Sequence, residues 1–172
     1  VSSDVNPLSK SIPGLINPEF STGDTYGWDT QGCRAYLSTS NQDLGGAYLV
    51  ATDFQNNGVV KVRNTGKLSV KPGNTYRITT FLHVDDRIGL NDTSRFRVCL
   101  INAVNGNQGI RNDYILLSTL AWVNKAGYLQ TDLTIPDGMN TAYLLYQADP
   151  TKTTSVTTGS IRIRSVNIVN IT

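Results

Sequence analysis

Apolar and polar positions alternate with a period of two over long stretches of the chain. Tyr76, Ile78, Leu82 and Val84 share one parity in their run; Phe96, Val98, Leu100 and Val104 share one in theirs, as do Leu129, Leu133 and Ile135. That spacing puts each set on a single face of a β-strand. Strands are predicted at Ala47–Phe54, Gly58–Arg63, Tyr76–Val84, Arg95–Val104, Tyr114–Thr119, Tyr128–Ile135, Ala142–Ala148 and Ser160–Val169. Pro72-Gly73-Asn74, Asn105-Gly106-Asn107 and Pro136-Asp137-Gly138 are turns, since Pro presets φ and Gly or Asn accepts positive φ. The last run breaks phase: Ile161 and Ile163 share one parity, Val166 and Ile168 the other. A bulge near Arg164-Ser165 would return both pairs to the core face. No window of ten or more residues carries a 3.6-residue period. The pattern predicts an all-β protein, a jelly-roll β-sandwich of two mostly antiparallel sheets with little helix.

Composition points the same way. The 172 residues include 20 Thr, 16 Asn and 15 Gly, and Glu19 is the only glutamate. Thr suits a pleated surface, Asn and Gly suit turns, and Glu is a mainstay of helix surfaces. The length suits one domain with its own core, placed at residues 14–172. Residues 1–13, polar with two prolines, read as an N-terminal arm or linker. The chain starts at Val1 rather than Met, which points to a processed product or an excised domain.

Charge and cysteine content exclude several functions. A net charge of +2 lacks the dense basic stripe that nucleic acid requires, and no run approaches the roughly 20 apolar residues of a membrane-spanning helix. No nucleic-acid partner and no membrane insertion are therefore expected. Cys33 and Cys99 are either two buried thiols or a single bridge, and they lack the neighbours of a metal site. Asn91-Asp92-Thr93 and Asn170-Ile171-Thr172 match the glycosylation acceptor pattern.

Catalysis finds little material. His83 is the only histidine, so any Ser-His-Asp arrangement would depend on it, and no G-x-S-x-G elbow is present. Asp85 and Asp86 are adjacent, so on a strand they would face opposite sides and fail as a glycosidase pair. Ser3-Asp4 sets a hydroxyl beside a carboxyl, a combination suited to backbone self-cleavage near the N-terminal end.

Four segments, in order, resemble carbohydrate-binding modules of the family 4, 9 and 22 type. Leu15 to Phe20, with Gly23 and Gly27-Trp28, is similar to the family's opening strand and "GW" turn. Leu68 to Thr79 resembles its L-x-x-x-P-G-x-x-Y approach to a core strand. Trp122 with Leu133 to Gly138 resembles the penultimate hairpin, and Gly159 to Val169 the closing strand. The resemblance implies a jelly roll, with Trp28 and Trp122 packed in its core. It also implies a structural calcium held between the residue after the opening Phe and an acid on the closing strand. Those positions here are Ser21 and Arg164 or Ser165, and an arginine would repel the ion, which disfavours calcium. The Asn- and Thr-rich composition also resembles C-terminal domains of bacteriophage tailspikes and tail fibres.

Sugar recognition needs flat aromatic faces together with a few hydrogen-bonding side chains. Tyr48, Tyr114 and Tyr143 are the candidate platforms, and Asn102 and Gln147 the candidate hydroxyl partners. Arg77, Arg95, Arg97, Arg162 and Arg164 lie on predicted strands and would form a basic face for acidic polysaccharide, or for carboxylates across a subunit interface, if those strands adjoin, with Arg97 counted among the ligand contacts. The expected function is a non-catalytic glycan-binding module of a larger polysaccharide-acting or host-recognition protein, extracellular or on a virion tail. The alternative is a C-terminal assembly domain that registers a homotrimeric tailspike and is released by self-cleavage.

Overall fold

Tyr76, Ile78, Thr80, Leu82 and Val84 are buried along β6 (Thr75–Val84), while the residues between them are less so. The chain is described by a computed structural model over residues 11–40, 43–52, 60–84, 95–106, 109–115, 125–148 and 160–172. Within β7 and β8 the side chains of Arg95, Asp113, Tyr114 and Ile115 are outside that description. The remaining strands are β1 (Trp28–Gln31), β2 (Arg34–Ser38), β3 (Tyr48–Thr52), β4 (Val60–Asn64), β5 (Leu68–Ser69), β7 (Arg95–Asn102), β8 (Gly109–Ile115), β9 (Ala126–Thr134), β10 (Thr141–Ala148) and β11 (Ile161–Asn170). No helix occurs among the described residues.

The strands form two antiparallel sheets, as the alternation predicts. The first has the order β1-β4-β10-β7-β8, with β5 also paired to β10; the second has the order β2-β3-β11-β6-β9. Their inner faces enclose one core, through which a file of stacked rings runs from Phe20 to Trp28, Tyr146 and Phe96. Trp28 donates its indole N–H to the carbonyl of Asn17, which satisfies its one polar atom inside the core. The expected bulge is present, with the β11 register against β6 shifting between Ile163 and Ser165.

The turns follow their chemistry. At Lys71-Pro72-Gly73-Asn74 the Asn74 N–H donates to the Lys71 carbonyl, and Gly73 takes a φ of 85° that a side chain would resist. Tyr76 tightens this corner, its hydroxyl accepting from the Lys71 N–H.

Several expectations are corrected. Leu15 to Phe20 forms turns rather than an opening strand, held by side chains: Asn64 accepts from Ile16 N–H and donates to the Ile16 carbonyl. The turn after Leu133 carries the chain from the second sheet to the first, so it closes a crossover and not a hairpin. Strand β7 stops at Asn102, whose Oδ1 accepts the N–H groups of Val104 and Asn105; Val104 is therefore exposed and off the core face. Strand β8 starts at Gly109 instead of Tyr114, because pairing with β7 organises a stretch that has no alternation of its own. Ser11 and Ile12, within the stretch read as an arm, dock on β11 by hydrogen bonds to Ile168. Ser3, Asp4 and Trp122 lie outside the described residues.

Candidate functional site

The outward residues of the first sheet fall into rows that cross the strands. Register places Asp29, Arg63, Leu145, Cys99 and Arg111 in one row from β1 to β8. Gln31, Lys61, Gln147 and Arg97 form the next row, with Asp113 opposite Arg97. Such rows lie about 7 Å apart, and five strands span about 19 Å. Leu145 and Cys99 point away from the core yet are only 6% and 5% exposed. The long side chains of Arg63 and Arg111 flank them in the same row, and such stems cover apolar surface while keeping their charge in water.

Two cavities, of about 250 and 230 Å³, open on this face and share Lys61, Ile101 and Leu145. Together they make one trough that reaches from Asp29 on β1 to Arg111 on β8, with an apolar floor and polar walls. Arg63 is fixed within it: one amine is 3.1 Å from the Asp29 carboxylate, and its guanidinium carbon lies 4.6 Å from the centre of the Tyr143 ring.

The sequence candidates are only partly assembled there. Tyr143, Gln147 and Arg97 share the outward parity of the first sheet. Tyr48 lies on the second sheet, 2% exposed, where it packs with Leu44 and Val50. Asn102 is buried and caps the turn after β7. Tyr114 pairs in register with Phe96, but its side chain lies outside the described residues. The strand arginines do not make one face, because Arg77, Arg162 and Arg164 belong to the second sheet and Arg97 to the first. Sequence reasoning missed Asp29, Gln31, Lys61, Arg63 and Arg111. Lys61 and Arg63 alternate with buried Val60, Val62 and Asn64, so their outward parity was readable. Their neighbours across the sheet were not.

The second sheet presents a different surface. Phe81 and Tyr128 are cross-strand partners with ring centres 4.6 Å apart, and Tyr128 is 69% exposed. Arg34 lies over Tyr36 at 5.0 Å on the edge strand.

Neither a metal nor thiol chemistry is supported by these groups. Where the resemblance puts calcium, Arg164 donates from Nη1 to the Glu19 carbonyl at 2.9 Å, and the Val166 N–H donates to the Pro18 carbonyl. A guanidinium already joins the opening turn to β11, so these residues do not fit a cation. Among the described residues no three His, Cys, Asp or Glu side chains gather as a ligand set. Cys33 and Cys99 are separate thiols, and burial pushes the Cys33 thiol up to about 11, away from reactivity.

No protein-family model matches the chain, and no curated protein matches it significantly in sequence. Solved structures do. The xylan-binding domain CBM22-2 from Paenibacillus barcinonensis aligns at 11% identity and a TM-score of 0.56, covering 89% of this chain and 97% of that domain. The fold is shared with carbohydrate-binding modules. The enzymatically active domain of bacteriophage CBA120 tailspike protein 4 aligns at 13% identity and a TM-score of 0.61, over 93% of this chain. This chain spans only 22% of that one. A Stig cyclase from Fischerella sp. aligns at 12% identity and a TM-score of 0.60, covering 94% and 97% of the two chains. At these identities the likeness is one of fold, and a single fold hosts unrelated activities.

Proposed function

We propose that this chain is a non-catalytic glycan-binding module whose ligand lies along the trough on the outer face of the first sheet. The observation that carries the reading is the pairing of an apolar floor, Leu145, Cys99 and Ile101, with hydrogen-bonding walls in one open groove across the strands. Extended polymers need an open groove of this kind, and sugars present both CH faces and hydroxyls to it. Structural likeness to a xylan-binding domain supports the same reading.

The module would serve a larger polysaccharide-acting or host-recognition protein, extracellular or on a virion tail. Part of a phage tailspike chain shares this fold, which is compatible with the tail context; a trimer-forming assembly domain is the alternative reading. Mass in solution separates these: a monomer at high concentration removes the assembly role.

Glycan-array screening followed by calorimetry tests the binding site. Tyr143→Ala and Gln147→Ala are each expected to weaken the best ligand about threefold to tenfold, at about 0.5–1.5 kcal/mol per contact. Tyr128→Ala, on the other sheet, is expected to have no effect. A folded protein that binds no glycan, or binding lost with Tyr128 and kept without Tyr143, would remove this reading.

A further inference from the structure

The trough is unevenly charged. Lys61, Arg63, Arg97 and Arg111 lie in its two rows, against Asp29 and, by register, Asp113: four cations to two carboxylates. Asp29 is engaged with Arg63. Lys61 lines both cavities at their junction and makes no ion pair among the described residues. Its neighbours across the sheet are Gln31 and Gln147, two neutral amides.

We infer that the ligand of this trough is an anionic glycan, one bearing carboxylate or sulfate groups along its chain, with Lys61 as the central contact for a charged substituent. This rests on the glycan-binding reading above and narrows it to a class of substrate. An ammonium on a flexible stem meets anions of several geometries, whereas Arg63 is already oriented by Asp29 and stacked on Tyr143. Lys61 therefore supplies adaptable charge recognition, and the Arg63–Tyr143 pair a fixed wall.

The test is titration calorimetry of the folded chain with three sets of oligosaccharides of matched length: polyuronates, sulfated glycans, and neutral xylo- and cello-oligosaccharides. An anionic set is expected to bind best, with affinity falling several-fold between 50 and 300 mM salt. Lys61→Gln is expected to weaken that binding about tenfold, since a hydrogen bond to a charged group is lost, and Lys61→Arg to restore most of it. Arg162→Gln, on the second sheet, controls for unspecific attraction and is expected to change nothing. Whichever anionic set binds identifies the substituent. Neutral sugars binding as well as charged ones, with Tyr143→Ala still harmful, would overturn the anionic assignment and leave the glycan site standing. No binding by any set would overturn both.

Discussion

The hydroxyls of Thr80 and Tyr146 hydrogen-bond to each other across the centre of the sandwich, joining β6 of the second sheet to β10 of the first. Both residues are buried, and burial drives the Tyr146 phenol well above its ordinary value. The two groups satisfy each other where water cannot. Tyr146→Phe is expected to cost about 1–3 kcal/mol, because it strands the Thr80 hydroxyl in an apolar core. The Tyr146→Phe, Thr80→Val double variant is expected to lose less than the sum of the single changes. Urea unfolding of all four proteins measures this. Strict additivity would show that the bond does not couple the sheets.

What the sequence reveals about this protein stops where neighbours across the sheet begin to matter. Alternation through residues 76–84 identifies the core face of β6 without help, and the phase break at Arg164 announces the bulge in β11. Strands β1, β2 and β5 escape notice because they are short and, in β1, mostly polar: Trp28 is the one deeply buried residue of four. Their partners stabilise them. The candidate site follows the same division. Tyr143 and Gln147 are readable as outward residues on a strand, but Lys61 becomes interesting only because β4 pairs with β10. Tyr48 shows the opposite limit. Its parity turns it away from the main core, yet the chain around Leu44 covers it.

Asn64 is expected to be the most sensitive polar residue of the N-terminal half. Its Oδ1 accepts from the N–H groups of Ile16 and Gly66, at 3.1 and 3.0 Å, and its Nδ2 donates to the Ile16 carbonyl at 2.8 Å. It thereby ties the opening turns to β4. Asn64→Ala strands three backbone groups, and a loss of about 2–4 kcal/mol is expected from the cost of leaving buried groups unpaired. Faster proteolysis within residues 11–20 is expected with it. Unchanged stability and unchanged cleavage would show that the segment is held by apolar contacts alone.

Arg164 is expected to make the fold indifferent to calcium. Its guanidinium holds the Glu19 carbonyl, and a side chain at Gly46 would sit within 3 Å of it, so the space is closely filled. The melting temperature is expected to be the same with millimolar calcium and with chelator. Arg164→Ala is expected to lower stability by about 1 kcal/mol through loss of a charged hydrogen bond that is partly open to solvent. A calcium-dependent rise in the melting temperature of the unaltered protein would show that the ion binds despite the arginine.

Acid sensitivity is expected at the edge of the second sheet. Arg77 and Asp132 are cross-strand partners on β6 and β9, joined by two bonds, Nε to Oδ1 at 2.9 Å and Nη2 to Oδ2 at 3.1 Å. The Arg77 guanidinium holds the Asp132 carboxyl below its ordinary value near 3.8. A carboxyl with a lowered value in the folded state binds fewer protons there than in the unfolded chain. Its contribution is therefore complete above about pH 4 and is lost as the pH falls through the folded value. Both side chains are well exposed, so the effect is expected to be small and to shrink in salt. Proton titration of the Asp132 carboxyl by nuclear magnetic resonance measures it directly. Arg77→Gln is expected to return that carboxyl toward its ordinary value and to flatten the stability loss below about pH 4. An Asp132 titration that is the same in both proteins would show that the pair exists without influencing the charge of either partner.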